Sequence, residues 1–138
     1  MNTNEATAVD VIVERGNDGR YSAFMDYYEF DFGLAGFGKT AQEAIEDFYQ
    51  AYNEERRMCE KENKTVPELI FNIKYDVSAF LDTYTGILSK SGLEKITGIN
   101  QKQLWHYTSG RRAKPVTTRK IERNIHLFAD KLRQVQFV

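Results

Sequence analysis

Alternating apolar and polar residues, the period of a β-strand, dominate the first forty positions of the chain. "VDVIVER" (9–15) has valine at every second position and runs into the turn sequence "GNDG", which predicts the first strand of a hairpin. "RYSAFMDYY" (20–28) predicts the second strand. "FDFGLAGFGKT" (30–40) predicts a third, and its three glycines indicate bends or a close approach of the backbone.

A helix is predicted to follow, because Thr40 and Glu43 have the spacing of a capping box. Apolar and small residues then recur at three- and four-residue intervals, at positions 41, 44, 45, 48, 51 and 52. The helix is expected to end near Asn63, since Pro67 cannot continue it. "ELIFNIKYD" (68–76) alternates again and predicts a fourth strand. The first half is therefore β-β-β-α-β.

The second half has helical spacing only. Helices are predicted at 77–88, 91–98 and 101–110 and from Thr117 onward. The expected fold class is α+β, with a β-β-β-α-β domain at residues 1–75 and an all-α domain at residues 76–138.

Charge divides the chain at almost the same place. Residues 1–70 hold 7 Lys/Arg and 15 Asp/Glu, a net charge of −8, whereas residues 71–138 hold 12 and 5, a net charge of +7. A compact basic domain is typical of proteins that bind nucleic-acid phosphates. No basic amphipathic face with Trp or Leu to insert into lipid is evident, so nucleic acid is favoured over a membrane.

Composition points to a cytoplasmic protein. No run approaches the roughly 18 apolar residues of a membrane helix, and polar residues rather than a signal segment follow Met1. The single cysteine, Cys59, cannot form an internal disulfide and shares a helical face with Phe48 and Tyr52. We interpret it as a half-buried thiol.

The stretch from Thr97 to Pro115 is rich in basic and amide residues. The apolar residues around it have the spacing that a helix-turn-helix buries, at Leu93, Ile96, Ile99, Leu104 and Tyr107. Gly98 fits a left-handed turn, and Asn100 is placed to cap the next helix. The residues left outward are Gln101, Lys102, Gln103 and His106, and Gln and Lys side chains are suited to read adenine and guanine in a major groove.

A basic segment directly follows Gly110, which is expected to end that helix. Its residues can approach phosphates without contacting base edges, and we predict this role for Arg111, Arg112, Lys114 and Arg119. For the outward face of the preceding helix, with Gln101, Lys102, Gln103 and His106, an ordinary polar helix surface is the alternative interpretation.

In the acidic half, four aromatic residues stand close together at Tyr27, Tyr28, Phe30 and Phe32. Aromatic anchors within an acidic surface suit a basic protein partner. They would otherwise belong to the core of their own domain. A nuclease would need converging carboxylates, and the candidates Asp10, Asp26, Asp31 and Glu46 have no spacing that brings them together. We therefore expect no catalytic residues, metal site or cofactor.

Two resemblances cover nearly the whole chain. Leu88 to Leu132 is similar to the lambda-repressor/Cro type of helix-turn-helix through "LEKITGINQKQLWHYTSGRR", although Glu94 and Thr108 stand where alanine and glutamate are common. Residues 9–75 resemble the HicB antitoxin family, a partial RNase H-like domain, through "VIVERGNDGRYSAFM", "GKTAQEAIEDFYQAY" and "TVPEL". The HicB family usually has a proline-containing segment after the second strand, and this chain has "YYEFDFGLAGFG" in its place.

The two resemblances together imply an antitoxin. Its HicB-like domain would be non-catalytic and would cover a small basic RNA-cleaving toxin of the HicA type, and its helix-turn-helix domain would repress its own operator. The resemblances also imply a homo-oligomer, a dimer or higher, since lambda-type domains pair across half-sites. We expect the apolar end "LRQVQFV" to join the copies. The alternative function is a stand-alone helix-turn-helix regulator whose N-terminal domain senses a ligand or dimerises.

Overall fold

The computed structural model describes residues 6–65 and 67–138 as an α+β protein. Its strands are β1 (Thr7–Arg15), β2 (Tyr21–Asp26), β3 (Ala35–Gly38) and β4 (Leu69–Tyr75). Its helices are α1 (Ala41–Lys61), α2 (Val77–Tyr84), α3 (Lys90–Thr97), α4 (Gln101–Thr108) and α5 (Pro115–Gln134). The chain forms two compact units, here called the acidic unit (residues 1–79) and the helical unit (residues 80–138).

The division lies after Ala79, four residues beyond the boundary expected from the sequence. Ala79 belongs to the core of the acidic unit, where its side chain is fully buried. Its N–H donates to the Asp76 carboxylate at 2.7 Å, so Asp76 fastens the start of α2 to β4. The first turn of α2 is therefore part of the acidic unit.

A four-stranded mixed sheet in the order β3-β2-β1-β4 forms the acidic unit. β1 pairs antiparallel with β2 and parallel with β4, and β2 pairs antiparallel with β3. Val11 lies opposite Met25 on β2 and opposite Ile73 on β4, so these three side chains share one face of the sheet. Helix α1 packs across that face.

The core between α1 and the sheet follows from the alternation in β1. Val9, Val11 and Val13 are buried, and so is Phe48 on the facing side of α1. The Phe48 ring meets Phe71 of β4 edge to face, with 5.0 Å between the ring centroids. Burying a phenylalanine of this kind contributes about 1.5–3 kcal/mol to folding.

β3 approaches α1 so closely that only glycine fits between them. A Cβ atom on Gly36 would lie 2.2 Å from the Phe48 nitrogen and 2.3 Å from the Ala44 carbonyl oxygen. The N–H of Phe37 donates to the Asp47 carboxylate of α1 at 2.9 Å. This bond occupies a backbone donor on the edge strand, which limits pairing with another chain.

The aromatic segment between β2 and β3 is not extended, so the predicted ends of these two strands are wrong. Tyr27 and Phe30 both pack against the core, although residues three apart in a strand point to opposite faces. Their ring centroids are 4.7 Å apart, and the Phe30 ring stacks on Phe32 at 5.2 Å. Irregular backbone lets all three rings turn to the same side.

The capping box that predicted α1 is present in a shifted form. The Glu43 N–H donates to the Thr40 hydroxyl at 3.1 Å, as expected. The Glu43 carboxylate accepts from the N–H of Lys39 at 2.8 Å, one residue before the cap. α1 ends at Lys61, and Asn63 turns the chain with a φ of +56°.

The helical unit packs α3 against α4 and α5. Its buried apolar residues are Leu81, Leu93, Ile99, Leu104, Tyr107 and Ile121. α5 begins at Pro115, two residues before the predicted start, because proline is favoured in the first turn of a helix. Among the helices of the described residues, none combines the length and hydrophobicity of a membrane span.

Candidate nucleic-acid interface

α3 and α4 are joined by a turn of three residues, 98–100. Gly98 ends α3 in the left-handed conformation with a φ of +73°, which glycine adopts without strain. The Asn100 side chain accepts the N–H of Lys102 at 2.8 Å and so caps α4. Both roles were predicted from the sequence and are confirmed.

A buried hydroxyl fastens this turn. The Thr97 hydroxyl donates to the Leu93 carbonyl at 2.7 Å and accepts the N–H of Ile99 at 3.1 Å. The Thr97 carbonyl in turn accepts from the Asn124 side chain of α5 at 2.7 Å. Sequence reasoning assigned the buried position to Ile96, which is only half-buried, and missed Thr97 and Asn124. The threonine immediately before the turn glycine was the available signal.

Glu94 forms a second cap on α4. Its carboxylate accepts the backbone N–H of Gln101 at 3.0 Å and lies 3.5 Å from the side-chain amide of the same residue. A carboxylate at this place is favourable because the N-terminus of a helix carries partial positive charge. Glu94 therefore stabilises the start of α4.

α4 presents one face to the core and the opposite face to solvent. Leu104 and Tyr107 are each 5% exposed, and at 100° per residue Lys102 and His106 lie on the far side. All four residues predicted to face outward are exposed, but Gln101 and Gln103 lie at the flanks of that face. The Gln103 amide donates to the Tyr107 hydroxyl at 2.8 Å.

Trp105 also belongs to the exposed side of α4, and sequence reasoning gave it no role. The indole is 55% exposed. The Lys90 ammonium nitrogen lies over it, 3.6 Å from the ring centroid. Helical spacing from the buried Leu104 and Tyr107 was the signal that could have placed Trp105 outward.

The basic segment begins where Gly110 ends α4 with a φ of +102°. The N–H groups of Gly110 and Arg111 turn back to the carbonyls of Tyr107 and His106, which closes the helix end. The four basic residues predicted to contact phosphates are all exposed: Arg111, Arg112, Lys114 and Arg119. Lys120 instead donates to the Gly98 carbonyl at 3.4 Å and braces the turn.

The four aromatic residues predicted to anchor a partner are divided. Tyr28 is 85% exposed. Tyr27, Phe30 and Phe32 pack against the core of the acidic unit and are only partly buried there. The Tyr27 hydroxyl donates to the Glu29 carboxylate at 3.0 Å, which raises the pKa of Tyr27.

The sheet carries a second, partly exposed aromatic surface that the sequence did not reveal. On the face turned away from α1, Phe24 lies opposite Ile12 on β1 and Ala35 on β3. Phe37 is two residues further along β3 and 64% exposed. Acidic residues surround this apolar row at Asp10, Glu14 and Asp26. We call these seven residues the open sheet face.

Asp10 forms an ion pair with a lysine of the neighbouring strand β4. The Lys74 ammonium donates to it at 2.8 Å, and this hydrogen bond lowers the pKa of the Asp10 carboxyl. Within residues 6–65 and 67–138, no three His, Cys, Asp or Glu side chains converge on a possible metal position. Cys59 is a half-buried free thiol, as predicted, and its partial burial raises its pKa.

No protein-family model, curated protein or solved structure matches the chain.

Proposed function

We propose that the protein is an antitoxin-like autorepressor. Its helical unit binds operator DNA, and its acidic unit covers a small basic RNA-cleaving toxin of the HicA type. The observation that carries this proposal is the doubly capped helix α4, which presents Lys102 and His106 to solvent beside an exposed arginine-rich segment. The helical unit holds 11 Lys/Arg and 4 Asp/Glu, a net charge of +7.

The arrangement of α3, turn and α4 supports a helix-turn-helix of the lambda-repressor type. Such a domain inserts its second helix into the major groove, where lysine can reach guanine O6 and N7. Gln101 and Gln103 would exchange their bonds to Glu94 and Tyr107 for bonds to base edges. In the free protein both amides have partners within the helical unit.

Removing two arginines of the basic segment tests the DNA-binding proposal. In the Arg111→Gln/Arg112→Gln variant, affinity for every duplex should fall alike. The slope of log affinity against log salt should become shallower by about 0.9 for each phosphate that the variant no longer neutralises. A fluorescence-anisotropy titration at several salt concentrations measures both.

The Arg57→Gln/Lys61→Gln variant is the matched control, because it removes the same charge from exposed positions on α1 of the acidic unit. It should keep the slope of the unsubstituted protein. Equal slopes for the arginine variant and the unsubstituted protein would contradict the assigned phosphate contacts. Duplex binding that is absent altogether would reject the DNA-binding function.

A homodimer would place two copies of α4 on successive half-sites of one operator. The end of the chain has suitable residues, since burial along α5 declines from Ile121 to Leu132, which is 55% exposed. Val135 and Phe137 continue the apolar surface, with exposures of 56% and 93%. We assign the pairing of the copies to this end.

The acidic unit supports a partial RNase H-like domain of the HicB type. Its strand order β3-β2-β1-β4, with β4 parallel to β1 and α1 between β3 and β4 in the chain, is compatible with that fold. Asp10, the central carboxylate of β1, is held by Lys74. We propose a binding role without catalysis for this unit.

A basic protein suits the acidic unit better than DNA does. The unit holds 8 Lys/Arg and 16 Asp/Glu, a net charge of −8, which repels phosphates and speeds the capture of a positively charged partner. Its exposed aromatic residues supply the apolar anchors of such an interface. They are Tyr28 and, on the open sheet face, Phe37, and the partly buried rings of Tyr27, Phe30 and Phe32 lie close to Tyr28 in the chain.

Affinity purification of the tagged full-length protein from its host separates this function from the stand-alone regulator. We expect a basic protein of about 60–80 residues, the size of one compact domain, to copurify. Phe37→Ser should reduce its yield. Met58→Ser, which removes a similarly exposed apolar side chain from α1, should not.

The same purification can reject the antitoxin assignment. If no small basic protein is recovered while the protein still binds duplex DNA, the stand-alone regulator is the better description. Equal yields with Phe37→Ser and the unsubstituted protein would place the partner away from the open sheet face.

A further inference from the structure

Lys90 and Trp105 form a cation–π pair. Stabilisation of α3 does not account for a lysine at this position. Lys90 is the first residue of α3, and a cation at the N-terminus of a helix is opposed by the helix dipole. The Trp105 ring compensates, because its face attracts the ammonium group that lies 3.6 Å from its centroid. The lysine is thus held in one position on the surface of the helical unit.

That position is beside the outward face of α4. At 100° per residue, Trp105 lies about 60° around the helix from Lys102. Trp105 and Lys90 line a small cavity together with Leu81, Leu93 and Leu104, so one side of the indole faces the apolar interior. The ammonium of an α3 residue is therefore fixed next to the side chains of α4.

We propose that Trp105 is a positioning residue, which holds the Lys90 ammonium ready to contact a DNA phosphate beside α4. This inference rests on the DNA-binding function proposed above. A lysine side chain that is ordered before binding loses less conformational freedom when the contact forms. The indole remains 55% exposed, so its contribution is to orient Lys90 rather than to fill the core.

Salt-dependent binding to a 20-base-pair duplex from the protein's own promoter region tests the pair. Lys90→Gln should make the salt slope shallower by about 0.9, because the variant neutralises one phosphate fewer. Between 50 and 200 mM salt the affinity of the unsubstituted protein should then fall about threefold more than that of the variant. Trp105→Leu should weaken binding in the same direction, and Trp105→Tyr, which keeps an aromatic face, should restore it.

A double-variant comparison separates positioning from direct contact. Adding Trp105→Leu to Lys90→Gln should cause no further fall in affinity, since the indole acts through the lysine. An additional fall would show that Trp105 contacts DNA itself and would overturn the proposal. Unchanged slopes in both single variants would overturn it as well.

Tryptophan emission and the duplex binding of the unsubstituted protein distinguish a failure of the Lys90–Trp105 pair from a failure of the proposed function. Trp105 is the only tryptophan of the chain, so the emission of the free protein should shift in Lys90→Gln if the ammonium rests on the indole. An unchanged emission spectrum would contradict the pair. Absence of duplex binding by the unsubstituted protein would reject the proposed function, whereas binding with a Lys90-independent slope would reject only the role of this pair.

Discussion

Replacing Gly36 with alanine should destabilise the acidic unit by about 3 kcal/mol or more, because overpacking against immovable atoms is costly. The new Cβ would lie 2.2 Å from the Phe48 nitrogen and 2.3 Å from the Ala44 carbonyl oxygen. Both are backbone atoms inside α1, so neither can rotate away. β3 and α1 would have to move apart, which would open the packing around the buried Phe48.

Urea unfolding of the full chain, followed by far-UV circular dichroism, measures this effect. Gly33→Ala is the matched control, since no atom lies within 4 Å of a Cβ at that position. It should remain within about 0.5 kcal/mol of the unsubstituted protein, as surface substitutions usually do. A similarly small change in Gly36→Ala would contradict the close approach of β3 to α1.

Thr97→Val should destabilise the helical unit by about 1–3 kcal/mol, because the substitution leaves buried polar groups without partners. Valine has nearly the shape of threonine but cannot accept the N–H of Ile99 or donate to the Leu93 carbonyl. The turn between α3 and α4 would loosen, and α4 would lose its fixed orientation. Affinity for duplex DNA should fall together with stability.

The fluorescence of Trp105 follows unfolding of this unit, since the chain has no other tryptophan. Thr118→Val makes the same chemical change on α5, where the hydroxyl donates to the Lys114 carbonyl at 3.2 Å in a half-buried position. It should cost less than about 0.5 kcal/mol. Equal unfolding free energies for the two variants would argue against a special role of Thr97 in the turn.

The two proposed binding activities differ in what they require of the fold. DNA binding depends on a helix that is capped at its start by Asn100 and Glu94 and ended by Gly110, so small backbone changes should reduce it sharply. Partner binding depends on exposed side chains such as Phe37 and on the overall charge of the acidic unit. Salt should weaken the DNA complex more steeply, because counterions are released from the duplex.

Local spacing in the sequence determined the order of the secondary structure and the α+β class. The alternating valines of β1, the Thr40 cap of α1 and the glycine at position 98 act on neighbouring residues only. Sequence reasoning could therefore place these elements, and it also predicted correctly that Gln101, Lys102, Gln103 and His106 are exposed. The charge division follows from the positions of the charged residues along the sequence.

Contacts between residues distant in the chain decided the rest. The packing of three aromatic rings against the core shortened β2 and β3, and strand pairing brought Phe24, Ile12 and Phe37 onto one open face. The same holds for the pairing of Lys90 with Trp105, fifteen positions apart, and for the Asn124 bond to the Thr97 carbonyl. The periodicity of the sequence indicates which face of a helix or strand is apolar. It contains no information on which other helix or strand covers that face, or on which polar side chains meet between the two elements.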